Sequence, residues 1–275
     1  MKRKEKKRML TNRKQILYNR YLGFALTGVI ALLFLIGLIH TPYDPNGMDI
    51  TSKLAGVSLK HLFGCDSFGR DIFSRVCKGI ETTFLVAFGT VLIGSVFGIL
   101  IGAYTGFYGG WLDEVLMRIN DTIFAFPSFL LALIFVSIFG SGKYIVILAL
   151  GIAFIPSFAR IVRSEFMKCK EMDYVKLARL AGASNFRIMF VHILPNIFSV
   201  LLSAIMIGFN NAVLAEAGMS YLGIGVQPPD ASLGSMLSDA QSGLFTAPWC
   251  AIFPGLTIMV LVLGFSLLSD SIKRK

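Results

Sequence analysis

Six apolar runs limit what this chain can fold into. Tyr21–Ile39, Thr83–Phe107, Ile123–Phe139, Tyr144–Phe158, Ile193–Ala215 and Trp249–Leu268 contain no Asp, Glu, Lys, Arg or His. A bilayer core about 30 Å thick calls for roughly 20 apolar residues per helical crossing. Inside it every backbone N–H and C=O must be paired, which leaves helices and closed barrels. The runs therefore predict an all-α integral membrane protein with six transmembrane helices, the fourth of them broken at Pro156. A composition of 55% hydrophobic and 15% charged residues agrees with that class.

The formal charge of +10 does not point to nucleic acid, because the cations gather at the ends of the apolar runs, where they set orientation. Residues 1–20 carry nine Lys and Arg against one acid, Glu5. A secretory signal also opens on a basic region. However, Tyr21–Ile39 is long for a signal core, and no small-residue cleavage site follows it. The expectation is an uncleaved first helix with its N-terminus inside. Counted that way, 20 of the 26 Lys and Arg are cytoplasmic and six are not, which favours both termini inside a cell (plasma or inner) membrane. The chain divides into a basic tail at 1–20, a first helix at 21–39 and an extracytoplasmic loop at 40–80. A five-helix core follows at 81–275, with a cytoplasmic loop at 165–192.

Nothing in the runs supplies an engine. Proton-coupled carriers place ionisable groups at membrane depth, and these spans have none. Sodium coupling through carbonyls and hydroxyls stays open. There is no GxxxxGK[ST] phosphate loop. The cysteines 65, 77, 169 and 250 have no metal-ligand spacing and read as small apolar residues. The three histidines, 40, 61 and 192, are scattered, so neither a metal site nor an acid–base centre is expected. His61 reads as incidental, and Asp66, Arg70 and Asp71 as structural ion pairs. Gly94, Gly98, Gly102 and Gly106 recur every four residues and predict close approach of a neighbouring helix, in this chain or another. Ser203, Asn210 and Asn211 are polar residues of the fifth run. They either face a translocation path or bond across helices.

The hydrophilic stretch Glu165–Asn196 interrupts the apolar pattern. Tyr174, Leu177, Ala178 and Ala181 fall on one helical face, with Asp173, Lys176 and Arg179 off it. Gly182 suits a helix C′ position, Ser184 and Asn185 suit an N-cap, and Pro195 suits the start of the next apolar run. The prediction is a short helix, a glycine corner, a second helix and then a span. Periodicity alone fits a docking helix and an amphipathic loop on the headgroups equally well.

The same stretch resembles the cytoplasmic loop of ABC-transporter permeases, E-A-A-x3-G-x9-I-x-L-P. Aligned on Gly182 and Leu194–Pro195, the chain has Lys176 for the Glu, Leu177 and Ala178 for the alanines, and His192 for the Ile. DYVKLARLAGASNFRIMFVHILPN as a whole resembles the dipeptide, oligopeptide and nickel branch. So do GCDSFGRD (with Cys65 for Thr), RINDTIFAFPSFLLAL, and EAGMSYLGIGVQPPDASLGSML (with Leu233 for Trp). The family's tail usually continues with an L-R-D-x-L-D-P-like segment where this sequence has Lys273–Lys275.

The resemblance implies a type I ABC importer permease fold. It implies a non-catalytic pore subunit, driven by ATP and Mg on two separate ATPase subunits. Other implied partners are a second homologous permease, an extracytoplasmic substrate-binding protein and membrane lipid. The coupling contacts would fall on Asp173, Tyr174, Lys176, Leu177, Ala178, Arg179, Ala181, Gly182, Ala183 and Ser184. The substrate would be peptide-type or nickel-type, and no His, Cys or Met cluster favours nickel. The rival readings are a stand-alone ion-coupled carrier, a membrane enzyme and a scaffold.

Overall fold

A computed structural model describes the backbone of residues 2–273 and the side chains of residues 19–270. The orientation signals at Lys2–Lys14 and Lys273–Lys275 lie outside the described side chains. Among the described residues, five helices have spans long and apolar enough to cross a membrane: α1 (Lys2–Ile39), α2 (Ile72–Tyr108), α5 (Lys143–Cys169), α9 (Phe198–Tyr221) and α11 (Trp249–Lys273). Between α2 and α5 come α3 (Gly110–Phe124) and α4 (Ser128–Phe139), a pair bent by 83°. The expected third span, Ile123–Phe139, is therefore not one straight helix. Pro127 has no N–H to donate and sits between the two helices as the residue capping α4. The segment between the second and third apolar runs is mostly helical, as α3.

The glycine stripe finds its partner within the chain. It packs α2 against α5: a Cβ at Gly106 would lie 2.6 Å from Arg163 O and 2.8 Å from Phe166 Cβ. At Gly94 the neighbours are Phe154 and Phe158. Held in this groove, α5 continues as one helix through Pro156, contrary to the expected break. Packing on both sides compensates for the hydrogen bond that a mid-helix proline removes. A second close approach joins α1 to α11, where a Cβ at Gly264 would lie 2.8 Å from Thr27 Oγ1.

At one end, residues 40–71 fold over α10 (Leu233–Asp239) and the start of α11. Asp66, Arg70 and Asp71 are structural, as expected. Arg70 Nε donates to Asp66 Oδ2 at 2.6 Å and Arg70 Nη2 to Asp239 Oδ2 at 3.1 Å. Asp71 caps α2 by accepting from Ser74 N at 2.8 Å. His61 is not incidental. It is buried, and its Nδ1 lies 2.9 Å from Asp71 Oδ1, so it fixes the cap from behind. Trp249 Nε1 donates to Cys65 O at 3.3 Å, tying the loop to α11.

A fully buried carboxyl lies within a span. Glu216, expected just beyond the fifth run, is inside α9 and fully buried. Thr83 Oγ1 of α2 donates to its Oε2 at 2.8 Å, and Ser220 Oγ donates to its Oε1 at 2.6 Å. Thr83 Oγ1 also accepts from Leu233 N at 3.5 Å. Glu216 thus fastens α2, α9 and α10 together. Thr83 lies 133 residues away in sequence, so no local pattern announces the contact.

Candidate functional site

The site at the other end begins where α5 stops. After Lys170–Met172 comes α6 (Asp173–Leu180), and the chain turns at Gly182, φ +81°. Ala183 N donates to Ala178 O and Gly182 N to Arg179 O, both at 3.0 Å. This pair of crossed bonds closes a Schellman turn, whose C′ residue is left-handed and is therefore best filled by glycine. Ser184 then caps α7 (Asn185–Arg187), accepting from Arg187 N at 3.3 Å. A π-helical turn, Ile188–Ile193, and α8 (Leu194–Asn196) lead into α9, with Pro195 in the first turn of α8. Short helix, corner and second helix stand where the sequence put them, but the span starts later than expected, at Phe198, and runs on to Tyr221.

This bent unit rests on its own small core. Val175, Ile188, Met189 and Ile193 are buried together with Ala103 and Phe107 of α2 and Val162 and Phe166 of α5. The inner face of α6 is set by Val175, with Tyr174 and Ala178 half-buried. The expected face included Leu177 and Ala181, but both point outward. Leu177 is 65% exposed, and Leu180 and Phe186, which periodicity did not single out, are 84% and 72% exposed. Asn196 Nδ2 donates to Tyr174 Oη at 3.2 Å, binding α6 to α8. Burial, helped by Cys169, raises the Tyr174 phenol above its ordinary range against the opposing pull of Asn196. Tyr174 therefore stays a neutral packing group. Lys176 Nζ lies 3.5 Å from Asp173 Oδ1, and both are exposed. The Arg179 guanidinium sits 5.9 Å from the Phe107 ring centre.

Next to this unit α3 lies along α5. Arg163 Nε and Nη2 donate to Asp113 Oδ1 and Oδ2, each at 2.6 Å. Arg160 Nη2 donates to Asp121 Oδ1 at 2.6 Å, and its guanidinium stands 3.9 Å over the Phe124 ring. Asn120 Nδ2 donates to Pro156 O at 3.4 Å. Sequence reasoning missed this ladder because its two sides come from different helices.

Further along α5 an open cavity of about 520 Å³ lies between α4, α5 and α9. Among the three polar candidates the structure discriminates. Asn211 lines the cavity. Ser203 is buried and donates to Ser199 O at 3.0 Å. Asn210 is half-buried, with its Oδ1 buried and unpaired. Ser128 and Ser157, unremarked in the sequence, also line the cavity. Among the described residues no group of three or more His, Cys, Asp or Glu is placed to hold a metal.

Residues 80–275 match the family described as "Binding-protein-dependent transport system inner membrane component". The chain belongs to that family. It is 39% identical over 223 residues to the dipeptide transport system permease protein DppC of Alkalihalophilus pseudofirmus, covering 81% of this chain and 73% of that one. It is 41% identical over 233 residues to the glutathione transport system permease protein GsiD of Pectobacterium atrosepticum, covering 84% and 77%. The fold matches a solved structure of the inward-facing MetNI methionine ABC transporter. The TM-score is 0.62 at 18% identity, over 74% of this chain and 96% of that one. The chain is thus a multi-pass inner-membrane permease subunit of an ABC importer, with a type I permease fold and no catalytic role of its own. Membership favours an externally powered pore over a stand-alone ion-coupled carrier.

Proposed function

We propose that this permease forms one half of the pore of an importer for small peptides, worked by two ATPase subunits that grip α6. One observation carries the reading. α6 is held rigidly from behind by Val175 and its neighbours, yet it presents Leu177 and Leu180 outward, with Phe186 beyond the turn. A groove that buries them gains about 1.5–3 kcal/mol per side chain. Asp173, Lys176, Arg179, Ala181 and Ser184 form the polar rim, and Gly182 and Ala183 set the corner. The relatives' names, for dipeptide and glutathione transport, support a peptide-type substrate.

In this mechanism ATP and Mg are bound by the partner ATPases. Their closure displaces α6 on the cytoplasmic side. Because α5 joins α6 through only Lys170–Met172, the displacement passes into α5 and along it to the cavity. The ladder to α3 makes the α3–α4 elbow follow. The cavity then opens towards a binding protein seated over residues 40–71 and α10, and a second homologous permease closes its far side. Both termini lie in the cytoplasm.

Reconstitution tests the reading. Uptake of dialanine should require this chain, its co-purifying permease and ATPases, internal ATP and the loaded binding protein. Uptake by the purified chain alone under a sodium gradient would contradict it.

A further inference from the structure

The cavity between α4, α5 and α9 is lined by the exposed side chains of Ser128, Ser157 and Asn211, set among Phe129, Phe154 and Phe158. None of its lining residues is ionisable. Asn211 lies about 20 Å of helix rise beyond Phe198 and about 15 Å before Tyr221, near the middle of the α9 span. Ser157 lies in α5 one residue past Pro156, also at depth. Unpaired amide and hydroxyl groups facing lipid at this depth are unfavourable, so they normally face a polar path or a partner. A volume of about 520 Å³ lies within the roughly 300–1,000 Å³ of small-molecule pockets. It also exceeds what a bound water or two would need.

We infer that Ser128, Ser157 and Asn211 are the substrate-contacting groups of this chain, and that they recognise the amide backbone of a passing peptide without reading its charge. The inference deepens the peptide-importer reading and rests on it. A peptide bond offers one N–H and one C=O, which an amide and two hydroxyls can match in either direction. The phenylalanines offer apolar walls to side chains of any kind. With no charged group present, acidic, neutral and basic peptides meet the same surface, so discrimination by charge is left to the binding protein.

Asn211→Asp should break that neutrality. A carboxylate placed in a low-dielectric path repels an acidic peptide and attracts a basic one. In proteoliposomes holding the complete importer, uptake of alanyl-lysine relative to alanyl-glutamate should rise at least threefold over the wild-type ratio. An unchanged ratio overturns the inference. Cysteine variants guard against an Asn211→Asp chain that fails to assemble. N211C and S157C should react with a charged methanethiosulfonate in the assembled complex, and S203C should not. If N211C and S157C react only in the isolated chain, the second permease covers the cavity and the inference also falls. Absence of any uptake by the wild-type complex would instead strike at the peptide-importer reading itself.

Discussion

Arg163 and Asp113 meet through two parallel bonds of 2.6 Å, Nε to Oδ1 and Nη2 to Oδ2, and so lock α3 to α5 across 50 residues of sequence. Paired forks of this kind are the strongest side-chain contacts available to a guanidinium. Asp113 is mostly buried, so removing Arg163 strands a carboxylate. R163A should lower peptide uptake about tenfold, the equivalent of losing roughly 1.4 kcal/mol of coupling, while ATPase activity falls less. The exchange D113R/R163D should recover part of the loss. Uptake and ATPase activity measured side by side in the same proteoliposomes check this.

Gly182 should tolerate only residues that accept φ +81°. An added Cβ there meets nothing within 4 Å, so any penalty is conformational and not steric. G182V should cost about 1–2 kcal/mol at the corner and impair uptake with normal membrane insertion. G182N should lie close to wild type, because Asn visits the left-handed region readily.

The glycine groove predicts a contrast between two substitutions of the same kind. G106A drives a methyl group into Arg163 O and Phe166 Cβ, whereas G28A on α1 meets nothing within 4 Å. G106A should lower stability by about 1–3 kcal/mol, as overpacking does. G28A should leave it unchanged or slightly raised. Thermal unfolding in detergent distinguishes them.

Burial, reinforced by Asp71 and Asp66, pushes the Cys65 thiol up to about 11. The thiolate is the reactive form, so alkylation at pH 7.5 should be negligible in the folded protein. The rate should rise about tenfold per pH unit below that value and become fast once the chain is denatured. Mass spectrometry after maleimide treatment, with and without denaturant, reads this. Cys77, Cys169 and Cys250 are also buried and free.

The local chemistry of the chain was legible in its sequence, and its long-range contacts were not. Gly182, Ser184 and Pro195 each act through backbone conformation within a few residues, so their turn, cap and helix start could be read directly. The spacing of Gly94, Gly98, Gly102 and Gly106 announced a close approach, but only the fold shows that α5 fills it. Pro156 reads as a break because a local rule says so, and α5 continues because α2 supports it from outside. The bend at Pro127 divides an apolar run that hydropathy alone would keep whole. Glu216 and His61 gain their roles from Thr83 and Asp71, which no pattern along the chain connects to them. On α6 the period placed Tyr174 and Ala178 correctly. It turned Leu177 inward because it could not know that Val175 would claim the small core.

In the proposed mechanism, force enters through the outward apolar side chains of α6. The most direct measurement is ATP-driven peptide uptake by the complete importer carrying L177D/L180D, alongside retention of the ATPases during purification. The variant should insert normally, lose its ATPases and take up peptide at less than a tenth of the wild-type rate. A variant that keeps its ATPases and transports at the wild-type rate would contradict this mechanism.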